Sequence, residues 1–377
     1  MSKTNIAASE FPQDEELVYL NHAAVSPWPL RTAQAVQDFA KENLLTGAEH
    51  YKRWAGRELK LKQALRALIN APSVEDVALL KNTSEALSVV AEGLSWRDGD
   101  NVVISDEEFP SNRLPWEAQE KHGVKVREVS LVDGAEDALM AACDSRTRVL
   151  SISSVQYASG YRVDLEKLGS FCRERNILFC VDAIQSIGAH NIDVQSCHID
   201  FTMADAHKWM LGPEGIALFY CREEVREQLE IHQFGWHMVE AAGDYDRRDW
   251  ELAGSARRFE CGSPNMLGVY ALAASIDLLN EVGIEVIEEQ IVARINYLKK
   301  KLGELDGIEL LSRTADTRPS GIVTFKPGGV DIRKLHAQLM KNRVICANRL
   351  GGIRFSPHFY TPYEKLDKAL DILQQLL

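Results

Sequence analysis

From about residue 75 to 220, short apolar runs alternate with segments whose apolar residues recur at helical spacing. The runs Val77–Leu80, Asn101–Ser105, Val124–Val129, Arg148–Ser153, Ile177–Asp182, Asp200–Ala204 and Ile216–Tyr220 predict strands, because they are brief and bounded by turn residues. Ser84–Gly93 and Leu165–Arg175 carry the 3.6-residue period and predict helices between them. Such alternation predicts an α/β fold, a mainly parallel seven-stranded sheet with helices on both faces. Ligands in sheets of this kind collect beyond the carboxyl ends of the strands.

The pattern changes near residue 281. A long charged amphipathic helix over about Glu285–Leu305 precedes strand-like segments Gly321–Lys326, Arg343–Ala347 and Ile353–Ser356, with helices near Asp331–Lys341 and Pro362–Leu376. This predicts a smaller C-terminal α/β domain. Its last helix carries a start signal: Thr361 as N-cap, Pro362 in the first turn and Glu364 closing a capping box.

Composition narrows the class. Of 377 residues, 45% are hydrophobic and 26% charged, as in an ordinary globular protein. A net charge of −12 argues against nucleic acid as the main partner. Neither a signal peptide nor a membrane span is expected. The seven cysteines are scattered, with no CxxC pair, which points to a cytoplasmic protein with mostly buried thiols. The dispersed histidines, His232 and His237 included, give no metal-ligand spacing.

The candidate chemistry centres on Lys208, in Met203-Ala204-Asp205-Ala206-His207-Lys208-Trp209. Upstream, Asp182 closes the most apolar strand and Gln185 follows three residues later. A lysine can hold an aldehyde as a Schiff base, and a carboxylate can keep a pyridine nitrogen protonated, so the set suggests a pyridoxal-phosphate site. Taken alone, Asp182 also fits a helix cap or a buried salt bridge. His207 suits either a core position or a contact to phosphate or Schiff base. Thr83 and Ser84 open a helix whose free N–H groups suit a phosphate, although a plain N-cap has the same pattern. Phe109, after a strand end, suits stacking on a pyridine ring or anchoring a loop. Arg354, in an apolar strand, needs an anion: a substrate carboxylate or a structural partner.

Taken together, these segments resemble the class V aminotransferases, fold-type-I pyridoxal-phosphate enzymes that include cysteine desulfurases and isopenicillin-N-epimerase-like proteins. The resemblance runs from Val18-Tyr19-Leu20-Asn21-His22-Ala23-Ala24 to the C-terminal helix, reinforced by Arg258-Phe259-Glu260-Cys261-Gly262-Ser263-Pro264. It implies pyridoxal 5′-phosphate as cofactor, with Lys208, Asp182 and His207 catalytic. The implied cofactor-binding set is Thr83, Ser84, Phe109, Tyr157, Asp182, Gln185, Asp205, His207, Lys208 and Ser263. Arg354 would bind the substrate carboxylate, and Ser263 would reach the site of a neighbouring copy in a homodimer. The large domain would span 16–280, and the small domain 1–15 with 281–377.

Three departures from the desulfurases qualify the resemblance. Phe109 stands where those enzymes stack a histidine. Tyr157 replaces an asparagine, with a role left open between contacting the ring oxygen and closing the pocket. The loop that carries their nucleophilic cysteine is reduced to Ala347-Asn348-Arg349-Leu350-Gly351, and Cys346 belongs to an apolar strand pattern. The expected function is therefore an amino-acid aminotransferase, with a carbon–sulfur lyase or desulfurase-like enzyme next and a racemase or epimerase third. His22, Ala24, His50, Trp236 and His358 are further pocket candidates from chain position.

Overall fold

The computed structural model describes residues 9–131, 135–312 and 318–377. Its strands, in chain order, are β1 (Val18–Tyr19), β2 (Val77–Leu80), β3 (Asn101–Ser105), β4 (Lys125–Val129), β5 (Thr147–Ser153), β6 (Leu178–Asp182), β7 (Phe201–Asp205) and β8 (Ala217–Cys221), then β9 (Ile308–Leu310), β10 (Val323–Pro327), β11 (Val344–Ile345), β12 (Ala347–Arg349) and β13 (Gly352–Phe355). Strands β2 to β8 form one sheet in the order β2-β8-β7-β6-β5-β3-β4. Every pairing is parallel except those of β8, which runs against both β7 and β2.

Alternation along each strand builds two cores from one sheet. Val103, Leu150, Ile152, Phe179 and Val181 face one apolar layer, whereas Val102, Ile104, Val149, Cys180, Phe201 and Met203 face the other. Both layers are buried, so the central strands read as continuous apolar runs. Edge strand β4 keeps polar, partly exposed residues.

Helix Met266–Val282 is apolar nearly all round and packs against helices Leu30–Thr46 and Tyr51–Leu68. It ends at Gly283, whose φ of 91° lets the chain turn 83° into helix Ile284–Gly303. No single described helix is long and apolar enough to cross a membrane.

The C-terminal part holds a four-stranded sheet, β12-β13-β10-β9, and a parallel pair, β1 with β11. Asn21 bridges to Ser356 beside that pair. Chain up to Asn21 is thus tied to the C-terminal strands, beyond the expected boundary at residue 16. Two local expectations are corrected. The run Arg343–Ala347 is divided: β11 pairs with β1, β12 with β13, and Cys346 lies between. Thr361 is not the N-cap of the last helix. Its hydroxyl accepts the N–H of His358 at 3.0 Å, and extended Pro362 precedes a helix that begins at Tyr363.

Candidate active site

The parallel strands end on one rim, and the chemistry-bearing residues cluster there. Asp182 closes β6 and Asp205 closes β7, with Lys208 on the turn that follows. Strand β2 shares this direction, so helix Thr83–Gly93 also starts at the rim. The backbone N–H of Thr83 donates to Asp205 Oδ1 at 2.9 Å, and the N–H of Asp205 donates to Thr83 Oγ1 at 3.2 Å. Strand β13 brings in Arg354 from the C-terminal part, where Nη1 donates to Tyr157 O at 2.6 Å.

A cavity of about 220 Å³ is lined by Thr83, Phe109, Tyr157, Asp182, Gln185, Asp205, His207, Lys208 and Arg354. Among the expected residues, Ser84 and Ser263 stand outside it. Exposed Ser84 shares a 2.7 Å hydrogen bond with Ser111, which does line the cavity. Ser263 lines a separate cavity of about 250 Å³ with Lys81 and Glu85. Of the further candidates only Ala24 reaches the site. His22 and His358 are fully buried behind it, while His50 and Trp236 lie elsewhere on the chain's surface.

Burial sets the electrostatics. Desolvation pushes the Asp182 carboxyl up and the Lys208 ammonium down, and each one's charge partly opposes the other's shift. Asp205 is pushed up to about 6 and His207 down to about 4, both mainly by burial. His207 Nδ1 stands 3.7 Å from Asp205 Oδ2. Arg354 is pulled down to about 9 by burial and then by the neighbouring Arg349 charge.

Several residues that line the cavity keep unspent polar groups. Asp182 Oδ1 accepts the N–H of Ile184 at 3.0 Å. Gln185 Oε1 accepts from Trp209 Nε1 at 2.8 Å and its Nε2 donates to Ala23 O at 3.0 Å, leaving one amide N–H. Buried Arg354 Nε has no partner among the described residues. Nor does any described acceptor hold Lys208 Nζ, which lies 5.7 Å from the Phe109 ring centroid. An ammonium, a carboxylate, a free guanidinium N–H and a helix N-terminus on one rim fit the aldehyde, pyridine, carboxylate and phosphate groups of a pyridoxal-phosphate complex.

Sequence reasoning missed Arg349, which lines the cavity, and Glu108, which shapes it. The Glu108 carboxylate is 7% exposed and accepts from Ser105 Oγ, Asn112 Nδ2, Ser153 N, Ser153 Oγ and Gln156 Nε2. It ties together the loops that carry Phe109 and Tyr157, whose rings meet edge to face at 5.2 Å. Ser105 and Asn112 flank it in sequence, but Ser153 and Gln156 lie 45 and 48 positions away, so no local spacing announces the whole set. Glu58, His237 and Glu260 also converge, but Lys62 Nζ lies 3.0 Å from Glu58 and 2.7 Å from Glu260, supplying the cation itself.

Residues 18–360 match the family Aminotransferase class-V, and the chain belongs to that family, whose members bind pyridoxal phosphate. Within it, the protein falls in the cysteine desulfurase-like branch. It is 30% identical to a probable cysteine desulfurase of Methanothermobacter thermautotrophicus, over 99% of this chain and 98% of that relative. It is 29% identical to the uncharacterized aminotransferase YcbU of Bacillus subtilis, over 90% of this chain and 89% of the relative. The cysteine desulfurase of Thermococcus onnurineus NA1, solved in its apo form, superposes with a TM-score of 0.87 at 24% identity, covering 98% of this chain and 97% of the other. The cystine C–S lyase C-DES, solved in complex with its reaction product cysteine persulfide, gives 0.88 at 21%, covering 97% and 99%. At these identities the two structures speak for the fold.

Proposed function

We propose that this protein is a pyridoxal-phosphate-dependent carbon–sulfur lyase that releases a β-sulfur substituent from a cysteine-type amino acid. When bound, the cofactor supplies a conjugated ring that draws electrons from the substrate α-carbon. Lys208 would tether its aldehyde and Asp182 would pair with the ring nitrogen. The remaining N–H of Gln185 would reach the ring hydroxyl, and Phe109 would cover the ring face. Thr83, Ser84 and His207 would hold the phosphate at the helix N-terminus, completed by Ser263 of a second copy in a homodimer. Arg354 would bind the substrate α-carboxylate through its free N–H. Lys208 Nζ would take the Cα proton, a task suited to an amine whose charged form is disfavoured by burial.

The observation that carries this reading is that no cysteine among the described residues lines the cavity. Cys346 is 3% exposed, with burial pushing its thiol up to about 12. Strands β12 and β13 are joined by Leu350-Gly351 alone, too short to carry a thiol to a substrate sulfur. Persulfide formation on this chain is thereby disfavoured, whereas simple β-elimination needs no thiol. Relatives named as cysteine desulfurases favour sulfur chemistry over the transamination first expected from the sequence.

Holoenzyme incubated with cysteine or cystine should release sulfide or a persulfide together with ammonia and a keto acid, and Cys346→Ala should retain that activity. Keto acid without ammonia or sulfur release would make it an aminotransferase. Loss of sulfur release in Cys346→Ala, with cofactor still bound, would make it a desulfurase of the persulfide-forming kind.

A further inference from the structure

Arg354 is not the only guanidinium at the cavity. Arg349, the last residue of β12, lines it as well. The β12–β13 register sets Ala347 opposite Arg354 and Arg349 opposite Gly352, so both arginines rise from one hairpin. Its turn is held by Leu350 and Gly351, with φ of 52° and 71°, which fixes the base of the Arg349 side chain.

The two differ in what they already hold. Arg354 is buried, with Nη1 on Tyr157 O and Nη2 3.4 Å from Asn21 Oδ1. Arg349 is half-buried, and the one hydrogen bond of its side chain among the described residues runs from Nη1 to the carbonyl of Asn348 at 2.8 Å. No carboxylate among the described residues pairs with it. Its charge reaches the site, since it helps lower both Arg354 and Lys208. The two carboxylates at the cavity are otherwise engaged: Asp205 with Thr83 and His207, Asp182 beside Lys208. A substrate with one α-carboxylate satisfies Arg354 and leaves Arg349 facing the cavity unmatched.

We propose that Arg349 recognises a second carboxylate, on the far side of the scissile carbon–sulfur bond. The substrate class is then a sulfur amino acid carrying two carboxylates, of the cystine or carboxyalkyl-thioether type, in preference to free cysteine. This inference rests on the carbon–sulfur lyase reading for its chemistry, and on the arginine pair alone for its charge pattern. A planar fork aimed at a carboxylate in a partly dewetted cavity is a strong and selective contact.

The test uses holoenzyme and two unreactive probes without an amine: 3,3′-thiodipropionate, with two carboxylates, and 3-(methylthio)propionate, with one. Calorimetric titration should show the two-carboxylate probe binding about tenfold or more tightly, as a charge-assisted hydrogen bond implies. Arg349→Gln should collapse that ratio towards one, Arg349→Lys should keep part of it, and Arg354→Gln should weaken both probes. Equal affinities in the unsubstituted protein overturn the proposal even if a variant fails to fold. A ratio that survives Arg349→Gln also overturns it. A preserved preference for two carboxylates without sulfur release from cystine would instead sink the lyase reading and leave the charge pattern standing.

Discussion

Thr83 and Asp205, 122 positions apart, exchange two hydrogen bonds, Thr83 N–H to Asp205 Oδ1 and Asp205 N–H to Thr83 Oγ1. The exchange locks a helix N-terminus to the end of β7, three residues before Lys208. Thr83→Val leaves the Asp205 N–H without its acceptor and should cost about 1–2 kcal/mol of stability. Thr83→Ser should restore most of it. Urea denaturation, with the cofactor dissociation constant measured alongside, checks both effects.

Glu108 should be intolerant of amide replacement. Each of its carboxylate oxygens receives donors, so Glu108→Gln turns an NH2 group towards other donors in a buried pocket. A loss of about 2–4 kcal/mol is expected, with Phe109 and Tyr157 displaced. Thermal unfolding reads the first, and the absorbance of bound cofactor reads the second.

Acid should unfold the cofactor-free protein early. Burial drives His22 down to about 4, in a fully enclosed site where Nδ1 donates to Ser356 O and Nε2 accepts from Tyr360. A histidine whose folded pKa lies below its unfolded value binds fewer protons when folded. Its stabilising contribution is intact above the unfolded value of about 6.5 and is lost as pH falls towards 4. His190, His207, His237 and His358 are also lowered by burial and add to the same slope. His22→Asn should flatten the fall in denaturation midpoint between pH 6.5 and 4.5, and an unchanged slope would refute the assignment.

Gly188 should be irreplaceable for activity. Its φ is 96°, and a Cβ there would lie 2.3 Å from the carbonyl oxygen of Trp209, the neighbour of Lys208. Gly188→Ala should cost about 2 kcal/mol or more and shift the Lys208 turn. Borohydride-fixed cofactor per chain should fall together with the melting temperature.

The strands of the main sheet were legible because burial on both faces leaves continuous apolar runs. Lys208, Asp182 and Gln185 were legible because each follows or closes such a run. The edges of the reading were local. Thr361 looked like a cap, yet its hydroxyl serves His358 and the helix starts beyond Pro362. One apolar run at Arg343–Ala347 served two sheets, a choice made by the partners of β11 and β12.

What the sequence by itself determined was the sheet, the succession of strand ends and the chemical identity of the residues on them. Those follow from side-chain period and burial, which are properties of short stretches. Only the tertiary structure decided that Arg349 and Arg354 share a cavity with Lys208, that Glu108 gathers donors from its own loop and from Ser153 and Gln156, and that no thiol among the described residues lines that cavity. Those facts depend on which distant segments pack together, and long-range packing leaves no spacing in the chain to read.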